Sequence, residues 1–135
     1  MKTFLKPRLL LATLGAIFAA SSHAEVFVIA QKGDIVSAND IREIYLGEKQ
    51  FGTGNVRLVP LDNSAAQAEF LAKLLKLDAQ KYNATWTKKA FRDGLNPPPV
   101  RATDADTIEA VKRTPGAVGY VTSLPTGVSV VHRIP

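Results

Sequence analysis

The sequence predicts an α/β fold, a mixed sheet with helices on its faces, and three observations carry that expectation. Residues 26–30 (VFVIA) form a short continuous apolar run, the signature of a strand buried on both sides. Two further strand-like runs, 117–121 (AVGYV) and 128–134, close the chain. Between them lie segments whose apolar residues recur at helical spacing, each behind a capping residue, in the order β-α-β-α-α-α-β-β.

Each element has its own signals. Ser37 with Asp40 three residues on opens a helix whose buried stripe is Ile41, Ile44 and Tyr45, and Gly47 ends it. Phe51-Gly52-Thr53-Gly54-Asn55 reads as a turn, and 56–61 as a second strand. Residues 64–76 form the most strongly periodic helix, with Phe70, Leu71, Leu74 and Leu75 on one face. Asp78 caps a third helix carrying Tyr82, Trp86 and Ala90, which closes near Gly94. Three prolines, Pro97 to Pro99, cannot continue a helix and demand an extended segment. Thr103 with Asp106 caps a fourth helix carrying Ile108 and Val111, and Pro115-Gly116 stops it.

The first 24 residues are expected to be a leader rather than part of this fold. Lys2, Lys6 and Arg8 precede an apolar run, 9–20, and Ser22-His23-Ala24 offers small residues at the cleavage positions. Such a run is too short and wrongly flanked for a membrane span, so the expected product is an exported protein, periplasmic, cleaved after Ala24. With no cysteine after the run, lipid anchoring is not expected. Residues 25–135 then make one domain of 111 residues, large enough for its own core. Three of the 17 Lys and Arg residues fall in the leader, so the formal charge of +5 drops to +2. That near-neutral balance argues against a nucleic-acid partner. No later hydrophobic run reaches membrane-spanning length, and zero cysteines exclude disulfide and thiolate chemistry.

Candidate chemistry is sparse. His132, the single histidine outside the leader, sits on a strand with no nucleophile motif elsewhere, and a lone His without Cys is a poor metal ligand. Asp104 and Asp106 fall in a first helical turn, where acids commonly complement the helix dipole. Tyr82, Trp86 and Phe91 read as core aromatics at helical spacing, and the proline triplet as a rigid connector. No catalytic residues, no metal site and no cofactor are expected, and the chain is not read as an enzyme.

The segment VPLDNSAAQAEF, 59–70, is the exception. A strand feeding a helix start presents free amides and the positive end of the helix dipole, the usual seat of an oxyanion. Ser64-Ala65-Ala66-Gln67 fits a capping box, which would leave the amides of Ala65 and Ala66 free beside Asp62 and Asn63. One exposed helix terminus contributes about 1 kcal/mol. Micromolar affinity takes about 8 kcal/mol, so the site is competent but weak.

Four stretches in order, DIREIYLGEKQF, VRLVPLDNSAAQAEF, YNATWTKKAFRDGLNPPP and VKRTPGAVGYV, resemble short periplasmic proteins related to the phosphate-binding component of ABC transporters. The resemblance covers nearly all of 25–135. It implies a single lobe of the type II periplasmic binding-protein fold. It also implies that the acid accepting the proton of phosphate falls on Asp62 or Asn63. The receptors' Ser-Gly-Thr turn would fall on Ala65, Ala66 and Gln67 and is unmatched, as is their Arg, near Leu61. Gln67 also stands where short relatives often carry an Arg, and losing a bidentate cation removes the strongest class of phosphate contact.

Two readings follow. In the first, the chain is an exported solute-binding-protein-like domain with weak or partner-dependent oxyanion (phosphate) recognition at Asp62, Asn63, Ser64, Ala65, Ala66 and Gln67. In the second, it is a ligand-free envelope interaction module, acting through a protein partner or as a homodimer.

Overall fold

A computed structural model describes residues 25–33 and 37–135; the expected leader, 1–24, lies outside the described residues. Among the described residues, twelve segments build two sheets and their covering helices. Strands β1 (Val26–Ala30), β2 (Val59–Pro60), β5 (Ala117–Val121) and β6 (Ser129–Ile134) form one sheet in the order β2-β5-β1-β6. It is mixed: β1 runs antiparallel to both β5 and β6, and β2 runs parallel to β5. A small second sheet pairs β3 (Asp62–Asn63) in parallel with β4 (Val100–Arg101). Helices α1 (Ala38–Tyr45), α2 (Gln67–Phe70), α3 (Ala79–Asp93) and α4 (Asp104–Arg113) surround them.

Successive strand side chains point to opposite faces, and here each face has its own core. Val26 and Val28 of β1, with Val118 and Tyr120 of β5, pack against α1, α2 and α3. Phe27 and Ile29, with Ala117 and Val121, pack against Ala110 and Val111 of α4. All five residues of β1 are therefore buried, which is why the run shows no polar alternation. At Gly119 of β5 an added Cβ would meet the Thr107 methyl at 2.7 Å, so α4 lies close to the sheet there. The mixed α/β architecture with helices on both sheet faces is as the sequence predicts.

Most caps form as expected. The Ser37 Oγ accepts the Asp40 amide at 3.0 Å, the Asp78 Oδ1 accepts the Lys81 amide at 2.8 Å, and the Thr103 Oγ1 accepts the Asp106 amide at 3.1 Å. Gly94 ends α3 in the left-handed conformation, φ 66°.

Four expectations need correction. The second strand is not 56–61 but only Val59–Pro60, because Arg57 instead bridges back to Phe51 and Leu61 passes the chain to the second sheet. The helix expected from Ser64 begins at Gln67, and Ala66, not Ser64, precedes it with no side-chain cap. After Phe70 it winds as a π turn, Leu71–Leu75, and stops at Lys76 with φ 57°, while Phe70, Leu71, Leu74 and Leu75 are all buried. Finally, Tyr82 and Trp86 join the core but Ala90 and Phe91 do not; Phe91 is 92% exposed. The proline triplet is followed by β4, which had no sequence signal of its own.

Candidate functional site

The chain reaches the 62–67 turn directly from the core. Leu61 donates its amide to Val118 O of β5, and Asp62 donates its amide to Pro99 O at 2.8 Å. The extended proline segment thus supplies the edge to which β3 attaches.

Asp62 is 1% exposed. Its two carboxylate oxygens each accept a tyrosine hydroxyl, Oδ2 from Tyr82 at 2.7 Å and Oδ1 from Tyr120 at 2.8 Å. Burial raises the Asp62 carboxyl above its ordinary value, and the two hydrogen bonds draw it part of the way back. Burial and the neighbouring Asp62 charge push both tyrosine hydroxyls far up, so they remain donors. The stacked rings of Phe70 and Tyr120, 3.9 Å between centroids, and the edge of Tyr45 close the surroundings. Tyr45 in turn donates its hydroxyl to the Leu61 carbonyl at 2.8 Å.

Asn63 is fully buried and spends its whole amide group. Nδ2 donates to Asp104 Oδ1 at 2.8 Å and to the Tyr120 carbonyl at 2.9 Å, while Oδ1 accepts the Ala65 amide at 3.0 Å. The Asn63 carbonyl accepts the Ala66 amide. This local Asn turn explains the late helix start: the two amides that a capping box would leave free are both taken by Asn63. Ser64 donates its amide to the Arg101 carbonyl at 2.8 Å. Among the predicted residues, Ser64 and Ala65 are exposed, Gln67 is half-buried and Ala66 is buried.

Asp104, read from the sequence as a dipole-complementing acid, is also a tether. Its Oδ2 accepts the Thr122 amide and hydroxyl and the Ser123 hydroxyl. Its partial burial disfavours the charge, but these bonds and the one from Asn63 prevail and hold the carboxyl below its ordinary range.

Sequence reasoning found no cation for this turn; the fold brings one near. Arg101 of β4 stands opposite Asn63 in the parallel ladder, is exposed, and has no side-chain partner among the described residues. It lies 34 to 39 residues down the chain from the turn, so no local pattern marks it. Among the described residues, no three His, Cys, Asp or Glu side chains cluster as a metal site, and no helix is long and apolar enough to cross a membrane.

No family model and no curated protein matches the chain. Among solved structures, it is similar to the X-ray structure of a protein described as a phosphate ABC transporter substrate-binding protein, with bound phosphate, from Clostridium perfringens. The TM-score is 0.51 at 14% identity, over 80% of this chain and 45% of that one. The likeness is one of fold. The chain is consistent with a single lobe of a periplasmic-binding-protein-like fold, and it spans less than half of that structure's length.

Proposed function

We infer that this chain is an exported solute-binding-protein-like domain, periplasmic after removal of 1–24, that recognises a phosphate-type oxyanion weakly or together with a partner at the 62–67 turn. The observation that carries this reading is the placement of Arg101, an exposed cation without a side-chain partner among the described residues, on the strand clasped to Ser64. The first amides of a helix lack intrahelical acceptors, and here they follow the exposed Ser64 and Ala65. The likeness in fold to a phosphate-bound protein supports the same class of ligand.

The reading differs from the sequence expectation in its working groups. Asp62 and Asn63 shape the turn from inside, since their polar atoms are occupied by Tyr82, Tyr120, Asp104 and Ala65. The amides of Ser64, Ala65 and Ala66 are likewise taken, so contact with the anion falls to the Ser64 hydroxyl, the Gln67 side chain, the first amides of α2 and Arg101. Guanidinium is the group best matched to a phosphate edge.

A thermal-shift titration with inorganic phosphate tests it through linkage. The melting temperature is expected to rise with phosphate, less in Arg101→Ala and more in Gln67→Arg. No rise in either the wild type or Gln67→Arg, with phosphate or sulfate, overturns the reading.

The interaction-module reading is favoured by one observation, the outward Phe91 on α3. A Phe91-dependent dimer in sedimentation, with no phosphate response, would move the assignment to that reading.

A further inference from the structure

A second concavity lies away from the turn, where the C-terminal end of β1 meets the start of β2 and β5. Its volume is about 460 Å³, within the range of small-molecule sites. We propose that this cavity binds a small organic anion with an apolar body, of the monocarboxylate class.

The walls are preformed. The 49–58 loop folds back on itself through Leu58 N–H to Gln50 O and Gly52 N–H to Val56 O, both 2.8 Å, and through the Phe51–Arg57 bridge. Val59 N–H to Gly116 O, 2.9 Å, ties its end to β5. Gly116 has φ +80°, and an added Cβ there would overlap the Arg57 carbonyl oxygen, so loop and strand are in direct contact. Little ordering cost therefore remains for a ligand to meet.

The lining sets the ligand class. Ala30, Leu58, Ala117 and Val118 form an apolar floor, and Phe51 and Val56 stand at the cavity 49% and 43% exposed. Large apolar side chains left in water beside a concavity gain from being covered. Lys32 and Lys49 also line it, and no described lining residue is acidic. Lys49 is held in place by Asp40, Nζ to Oδ1 3.2 Å, and its side chain stays 39% exposed. Lys32 is exposed with no side-chain partner among the described residues. An apolar floor with cationic groups selects an amphipathic anion. Inorganic phosphate would leave Phe51 and Val56 uncovered, and an alkylammonium would face the like charge of Lys32, while Lys49 is already balanced by Asp40.

This site is separate from the oxyanion turn, because neither Ser64, Gln67 nor Arg101 lines it. Its test reads different residues. Octanoate is titrated into the isotopically labelled protein, with octylamine and inorganic phosphate as parallel titrations, and the amide shifts of Gly52, Thr53 and Gly116 are followed. Saturable shifts with octanoate are expected, with no saturation of these amides by octylamine or phosphate. Lys32→Glu is expected to weaken octanoate binding about fivefold or more. Thr53→Trp, which fills the cavity from an exposed position, is expected to abolish the shifts with the melting temperature unchanged. Absence of saturable shifts with octanoate, an equal response to octylamine, or undiminished binding in both variants overturns the proposal.

Discussion

Tyr120 donates its hydroxyl to Asp62 Oδ1 across 2.8 Å, joining residues 58 apart in the chain at the centre of the fold. Together with Tyr82 on the other oxygen, it turns an acid at a strand end into the hub linking β5, α3 and β3. A buried carboxylate needs its acceptor capacity filled, and two hydroxyl donors do so without a buried cation.

Removing the acid should therefore cost more than removing either tyrosine hydroxyl. Asp62→Ala strands two buried donors and leaves a small void, an expected loss of about 3–5 kcal/mol. Tyr82→Phe removes a single bond to the carboxylate and should cost about 1.5–3 kcal/mol. Urea denaturation of the two variants checks the order, which would reverse if Asp62 were solvated.

Acidity at this hub has a defined sign. The folded-state value of Asp62 lies above the 3.8 of an ordinary Asp, so the native chain binds that proton more tightly than the unfolded chain. Its contribution is most favourable below 3.8 and falls away as pH rises through the raised value. Because the tyrosine hydrogen bonds lower the value, Tyr120→Phe should move the titration further up. Carbon-13 NMR of the Asp62 carboxyl reads both effects.

Asn63→Asp changes few atoms but should be strongly pH-dependent. The Asn63 Nδ2 donor, 2.8 Å from Asp104 Oδ1, becomes a carboxylate oxygen facing another. Near neutral pH this should destabilise the fold by about 2–4 kcal/mol, with partial recovery as acid protonates one of the pair. Melting temperatures of wild type and variant across acid to neutral pH should converge toward the acid end.

The opposite behaviour is expected of Asp104 in the wild type. Its folded-state value is below 3.8, so its contribution is present above that pH and disappears as pH falls through the lowered value. Asp104→Asn should be destabilised at neutral pH and approach the wild type in strong acid, as read by denaturant midpoints.

Gly116→Ala should damage the fold from the backbone outwards. The position has φ +80°, and its new Cβ would overlap the Arg57 carbonyl oxygen, which sits on backbone and cannot swing aside. A loss of about 2–4 kcal/mol is expected, measurable by denaturant unfolding.

Local chemistry settled much of this protein in advance. The apolar continuity of Val26–Ala30, the caps at Ser37, Asp78 and Thr103 and the stops at Gly94 and Pro115-Gly116 act within a few residues, so the α/β class could be read from the chain. Tertiary structure decided the site. Asn63 could have left Ser64 to cap the helix, but burial beside Asp104 and Tyr120 fixed its amide and claimed the Ala65 donor. Asp62 was expected beside the anion in the turn, but two distant tyrosines enclose its carboxylate instead, and β4 formed only because the proline segment lay where β3 needed a partner. Arg101 arrived beside the turn by the same pairing. Hydrogen-bond partners tens of residues apart have no periodicity to betray them, and only closure of the chain brings them within reach.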